Sequence, residues 1–467
     1  MLDKLFRPSD IRGACPLPLN EETAWKIGHA TGLFFKRSRQ NIPESLKVPH
    51  ENTILSGRDS RPSSPQLQRS LIEGLRSTGI TVIDLGPIDT PFLYFAVNHE
   101  ACVGGIQTTG SHGPVDSNGF RITGPYARPV AAATGLEDIR RISSTLRIGQ
   151  TGVTGKLETK DLWQPYRQHV LRFLSLRRKL RVAVDAGSAI AAKMIPAVFN
   201  DAPSLEIVPV SFEIAGSFPR DPGPLDQSNL DLLRTTIAQT SADLGVCFDA
   251  DADRCIFLTE TGNAIASDLV AALLTRHFLS LPTNKGAAIV YDLRCSRVVR
   301  EETEAAGGAP FRQRAAYPAI RKAMDDTSAV FGCEPSGRFY FRDNFHADSA
   351  AIAFACLLSV LSSQQTPLSQ LIAPLRRYAH SGEIAFHIED KDAKIREIAE
   401  AHRKAQSHYL DGFTVESSDW WFNIRKSPSD PLLLLNLEAN SPRLLDEKLK
   451  DLQRILGRPL HLPFPSN

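Results

Sequence analysis

Short apolar runs rich in β-branched residues alternate along this chain with stretches of helical periodicity, which is the pattern of an α/β protein. Thr53-Ile54-Leu55 reads as a strand that enters the polar turn Gly57-Arg58-Asp59-Ser60-Arg61. The spacing then predicts a helix: Leu67, Leu71 and Leu75 share one face, Pro65 suits the first turn and Gly79 the stop. Strands follow at Thr81-Val82-Ile83 and from Cys102 to Ile106. A second unit opens with a helix over 161–176 and a strand over 181–184, and closes with the strand 244–248. A third holds strands over 287–291 and near 329–331, then a long apolar helix over 349–361. Three such units would set polar loops at strand C-terminal ends, where open α/β sheets bind ligands. After about residue 377 the texture changes. Charged helical stretches over 390–406 and 444–456 flank the apolar run 432–437, and Gly457 with Pro459 ends the last helix.

The chain has 467 residues, 42% hydrophobic and 23% charged, a globular composition too long for one core. At about 100–200 residues per domain it makes three or four domains. Its 54 basic and 52 acidic residues leave a net charge of +2, which gives no reason to expect nucleic acid or an anionic membrane as a global partner. The start is interrupted by Lys4, Arg7, Asp10 and Arg12, and no apolar run reaches the roughly 20 residues of a membrane span. Seven scattered cysteines without metal-like spacing read as reduced thiols, so the expected location is the cytoplasm.

Four loops can carry chemistry. In Thr108-Thr109-Gly110-Ser111-His112-Gly113-Pro114, a serine between glycines follows a strand, among backbone N–H groups able to hold a phosphate. Asp249-Ala250-Asp251-Ala252-Asp253-Arg254 spaces three carboxylates by two, so that in an extended segment they point one way and call for a hard cation, Mg²⁺ or Ca²⁺. It is not an EF-hand, because Arg254 stands where the loop demands glycine and a strand precedes it. Gly332-Cys333-Glu334-Pro335-Ser336-Gly337-Arg338 offers a carboxylate and a hydroxyl for adjacent sugar hydroxyls, and Arg425-Lys426-Ser427-Pro428-Ser429-Asp430-Pro431 a phosphate cradle. Taken singly, each is also readable as an ordinary solvated loop.

Together and in this order, the loops resemble those of the α-D-phosphohexomutase superfamily, and within it the bacterial phosphomannomutase/phosphoglucomutase group. Phe6-Arg7-Pro8-Ser9-Asp10-Ile11-Arg12-Gly13 is similar to that family's opening motif, and Gly57-Arg58-Asp59-Ser60-Arg61 to its second. The resemblance covers essentially the whole chain. It implies four domains around a central cleft, three similar α/β sandwiches and a C-terminal α+β domain, here 1–155, 156–262, 263–377 and 378–467. It also implies transfer of a phosphoryl group between the 1- and 6-positions of a hexose phosphate through a phosphoserine and a bisphosphorylated intermediate. Matched position by position, Ser111 is the phosphoserine. Ser111, Asp249, Asp251 and Asp253 then hold Mg²⁺, and His112, Arg12, Arg121 and Arg254 serve catalysis. Glu334, Ser336, Arg338 and Tyr317 contact the sugar, and Arg425, Ser427 and Ser429 hold the phosphate that is not reacting. A hexose 1,6-bisphosphate is the implied activator, a small phosphosugar the only implied partner, and the implied state a monomer or weak dimer.

The departures from that pattern cluster at proton transfer and sugar reading. Arg121 stands at the family's lysine, and an arginine stays protonated above a pKa of about 12, so it makes a poor base. Arg12, retained, has the same limitation. Gly113 replaces an asparagine, Arg338 a histidine, Ser9 an aromatic residue, Tyr317 a ligand-contacting histidine, and Pro428 and Ser429 a Gly/Asn and a threonine. Three readings follow: an active mutase, a catalytically weakened phosphosugar-binding paralogue, or a phosphatase or phosphotransferase that uses the same phosphoserine.

Overall fold

A computed structural model describes residues 2–38, 47–147, 154–214, 218, 230–427 and 430–460. Ser429 and Pro428 lie outside them. The chain forms four α/β domains, distributed over two compact units: Met1–Ile265 with Ser336–Ser369, and Ala266–Pro335 with Gln370–Asn467.

The first unit holds a six-stranded and a four-stranded sheet, and the strand pair Phe339–Phe341 and Ala347–Asp348. In the six-stranded one the parallel strands His50–Arg58, Thr81–Pro87, Cys102–Thr108 and Leu157–Thr159 are extended by Ser117–Thr123, antiparallel to Cys102–Thr108, and by Ile11–Ala14. The expected helix runs Ser64–Arg76 and buries Leu67, Leu71 and Leu75. Its Gly74 and the facing Gly28 lie too close to opposing backbone to carry a side chain, which lets Ser64–Arg76 and Glu21–Ser38 pack tightly. The four-stranded sheet runs Cys255–Thr259, Leu244–Phe248, Leu180–Asp185, Leu205–Val210. Against this domain packs Ala350–Ser362, whose every residue is buried and whose Phe354 meets Phe199 and Phe248 edge-on. An all-round apolar helix belongs in a core.

Several boundaries differ from the sequence reading. The helix predicted over 161–176 spans Trp163–Leu171. The chain beyond is captured by serines of Ala350–Ser362: Ser359 Oγ donates to Phe173 O (3.0 Å) and accepts from Ser175 N (2.8 Å). The strand predicted near 329–331 is Phe331–Cys333, because Ala329 N still bonds back to Met324 O of the preceding helix (3.1 Å). The helix predicted over 390–406 is Lys391–Ala401, and Gln406–His408 leaves it to pair with Phe413–Glu416.

In the second unit, Ala288–Asp292, Ala309–Gln313 and Phe331–Cys333 form a parallel group. The C-terminal domain is wholly antiparallel, in the order Ala379–His387, Leu432–Ala439, Trp420–Lys426, Phe413–Glu416, Gln406–His408. Its core joins Phe386, Phe413, Phe422, Leu433, Leu435 and Leu437 to Ile398 and Leu452 of its two helices. Among the described residues no helix is long and apolar enough to cross a membrane.

Candidate active site

In the first unit the strand Cys102–Thr108 delivers the serine loop. Ser111 sits at φ +47°, a left-handed conformation that non-glycine residues seldom hold without support. Arg61 supplies that support. Fully buried, it donates to the carbonyls of Ser111 (2.7 Å), Gly113 (2.7 Å), Pro114 (2.5 Å) and Ser117 (2.9 Å). Asp59 ties the other side, accepting from Arg61 N (3.0 Å) and Gly110 N (3.2 Å). Arg12, on Ile11–Ala14, donates to Gly110 O and, through Nε, to Asp10 (2.8 Å). The sequence shows Gly57–Arg61 as a polar turn and a motif, but not the role of Asp59 and Arg61 as the loop's frame.

Ser111 Oγ lies 3.2 Å from His112 Nδ1. His112 is exposed, yet the Arg254 charge, desolvation among its neighbours and the Arg12 charge hold its pKa down to about 3, against an opposing pull from Asp253. The serine and aspartate loops therefore share one electrostatic field.

The aspartate loop joins Leu244–Phe248 to Cys255–Thr259. It is a turn rather than the extended segment of the sequence reading. Ala252 stands at φ +52°, and Asp249 Oδ1 accepts from the backbone of Asp253 and Arg254 (both 3.1 Å). The carboxylates still converge, with one oxygen of each within 4.8 Å of the others. All three are buried, and Asp249 Oδ2, Asp251 Oδ1 and Asp253 Oδ1 have no hydrogen-bond partner. Burial, then repulsion from Asp253 and Asp251, pushes the Asp249 carboxyl well above its ordinary pKa. Burial acts the same way on Asp253, but Arg338, Arg121 and Arg254 outweigh it and hold that carboxyl well below the usual range. One unpartnered buried oxygen on each of three convergent aspartates is the donor set of a cation site, and a hard, oxygen-preferring metal fits it.

Two candidate residues meet on this loop. Arg121, on Ser117–Thr123, and Arg338 both donate to Asp253 Oδ2. Arg338 Nε also lies 3.1 Å from Asp348. Thr90, at the start of the helix Thr90–His99, donates its hydroxyl to Asp251 Oδ2 (2.8 Å) and its N–H to Asp251 O (3.0 Å). Nothing in the sequence reading pointed to it.

The second unit gathers a different group. Arg294 binds Asp292 through Nε (2.9 Å) and Nη2 (2.6 Å) and approaches Glu334 (3.9 Å) and Glu383 (3.6 Å). Arg425 lies on the strand Trp420–Lys426, not in the loop where the sequence put it, and pairs with Glu383 and with Asn436 Oδ1 (2.9 Å). Ser427 follows the strand, its hydroxyl 3.1 Å from Asp430. Tyr317 opens the helix Tyr317–Thr327, and Ser336 begins the segment that returns to the first unit. Arg294 and Glu383 are additions to the sequence-derived set.

Profiles described as phosphoglucomutase/phosphomannomutase alpha/beta/alpha domains I, II and III match residues 3–146, 164–262 and 266–378. The chain belongs to the phosphoglucomutase/phosphomannomutase family. Within it, the chain is 32% identical to a protein of Xanthomonas campestris pv. campestris (strain B100) named "Phosphohexose mutases", over 97% of this chain and 98% of that one. It is 30% identical to the phosphomannomutase of Escherichia coli K12, with the same coverage. A crystal structure of a phosphoglucomutase/phosphomannomutase family protein from Burkholderia thailandensis superposes with a TM-score of 0.89 at 28% identity, covering 99% of both chains. Family membership agrees with the order of the loops.

Proposed function

We propose that this chain is a phosphohexose mutase that moves a phosphoryl group reversibly between the 1- and 6-positions of a hexose phosphate by way of Ser111. The observation that carries the reading is the set of three unpartnered oxygens on Asp249, Asp251 and Asp253, in a family member whose serine loop shares their field. Mg²⁺ held by those oxygens and by Ser111 would supply Lewis-acid charge neutralisation. Phosphoryl transfer otherwise needs positioning and compensation of charge on the equatorial oxygens, which is the work assigned to Arg254 and Arg12. His112 is neutral near pH 7 with Nδ1 3.2 Å from Ser111 Oγ, so it is assigned to hydrogen-bonding and orienting that hydroxyl; a pKa held down to about 3 makes it a poor general base. Arg121 is buried, and Tyr94 and Asp253 keep it protonated against that burial, so it orients and does not act as a base. Glu334, Ser336 and Tyr317 are assigned to the sugar, and Arg425, Ser427 and Ser429 to the distal phosphate; Arg338, expected at the sugar, is buried with its guanidinium on Asp253 and Asp348 and is not assigned there. A hexose 1,6-bisphosphate would phosphorylate Ser111 before the first turnover. The domain limits proposed are 1–155, 156–262, 263–377 and 378–467. Seven unbridged cysteines support a cytoplasmic location, and monomer or weak dimer is the proposed state.

The test is to incubate the protein and Mg²⁺ with glucose or mannose 1-phosphate and the matching 1,6-bisphosphate. The 6-phosphate and free phosphate are then measured, and the protein is weighed for a phosphate on Ser111. Isomerisation that disappears in Ser111→Ala supports the mutase. Free phosphate instead would mark a phosphatase, and neither turnover nor phosphoserine across a panel of hexose and hexosamine phosphates would end the enzyme reading.

A further inference from the structure

Each aspartate of the 249–253 loop has one oxygen free and one engaged, but the engaged oxygens meet different partners. Asp249 Oδ1 accepts two backbone N–H groups, and Asp251 Oδ2 accepts the Thr90 hydroxyl. These donors are neutral, although Arg121 Nη1 also lies 4.0 Å from Asp251 Oδ2. Asp253 Oδ2 instead accepts from two guanidiniums, Arg121 and Arg338. Neither can swing away. Arg121 is 5% exposed, with Nη1 3.4 Å from Tyr94 Oη, and Arg338 is 4% exposed with Nε 3.1 Å from Asp348. Arg254 adds a third charge, its Nε 3.9 Å from the free Asp249 Oδ2 and 3.7 Å from the free Asp253 Oδ1.

We propose that Arg121 and Arg338 are fixed counter-charges that lower the affinity of the aspartate loop for its cation, making metal binding weak and readily reversed. A divalent ion entering the carboxylate cluster approaches two buried positive charges bound to Asp253 Oδ2. At short range and away from solvent, little screens that repulsion. Their hydrogen bonds also draw electron density from Asp253, weakening it as a ligand. Orientation of Asp253 is the competing role, and it acts in the opposite sense, since an unheld carboxylate binds less well.

The inference rests on the cation reading above, and its test separates the two. Mn²⁺ binding is measured by electron paramagnetic resonance on the full chain, with Asp251→Asn as the site control. Arg338→Gln and Arg121→Gln are expected to lower the Mn²⁺ dissociation constant at least tenfold, while Arg338→Lys, which keeps the charge, stays within threefold of the parent. If Arg338→Gln fails to fold, as near-ultraviolet circular dichroism would show, Arg121→Gln carries the same test. Gln variants that bind Mn²⁺ no tighter than the parent overturn the proposal and leave the cation site standing. Binding absent from every form, or indifferent to Asp251→Asn, overturns both.

Discussion

Gly110 shows how little room the serine loop leaves. A Cβ at this position would meet the Arg61 guanidinium, with Cζ at 2.5 Å, and Ser117 O at 2.6 Å. Gly110→Ala must therefore displace the residue that holds Ser111 in its left-handed conformation. The expected outcome is a loss of about 1–3 kcal/mol in denaturant unfolding and a fall of at least tenfold in phosphoserine formation, read by mass spectrometry. Arg61→Lys keeps the charge but cannot reach four carbonyls at once, so it should lose phosphoserine formation in the same way. His112 adds a pH signature. Its pKa is held down to about 3 against an ordinary 6.5, so folding favours the neutral ring. That contribution is present above about pH 6.5 and disappears as the pH falls toward 3. A nuclear magnetic resonance titration should find His112 uncharged at pH 5, and Arg254→Gln should raise its midpoint by removing the largest cause of the depression.

The helix Thr90–His99 couples a buried acid to the aspartate loop. Asp89 caps it, accepting from Phe92 N (2.9 Å) and Tyr166 Oη (3.0 Å), while its Oδ2 has no partner. Burial raises its pKa to about 7, against the lowering effect of those bonds. A raised carboxyl contributes stability that is complete below about pH 4 and is lost as pH rises through about 7. Asp89→Asn keeps the cap acceptor and removes the charge. Relative to the parent it should gain stability at pH 8 over pH 4, by of the order of 4 kcal/mol at most, measured by urea unfolding at both values. Elements like this helix were the least legible part of the sequence. Thr90–His99 is buried along most of one continuous apolar run and carries no amphipathic period, whereas Leu67, Leu71 and Leu75 announce theirs. The aspartate triad was legible from its spacing, although a turn rather than an extended strand makes it converge. Asp59, Arg61, Thr90, Arg294 and Glu383 were not: besides near neighbours such as Asp292 for Arg294, each has a partner far away in sequence, which no local pattern announces.

At the scale of the molecule, the C-terminal domain has a hydrophobic core of its own. A core of its own has thermodynamic consequences, because cooperativity extends only as far as shared packing does. Leu435 is fully buried at the centre of the antiparallel sheet, on Leu432–Ala439, opposite both Ile384 and Ile424. Its truncation removes buried methyl groups and leaves a void, a change that costs about 2–5 kcal/mol in such cores. Leu435→Ala should therefore lower one calorimetric transition and leave another in place, instead of shifting a single melt. The aspartate loop belongs to the other unit, so Mn²⁺ affinity should stay at the parent value in the same variant. A single transition that moved as a whole would show that the units unfold together, and the cores would then have to be treated as one.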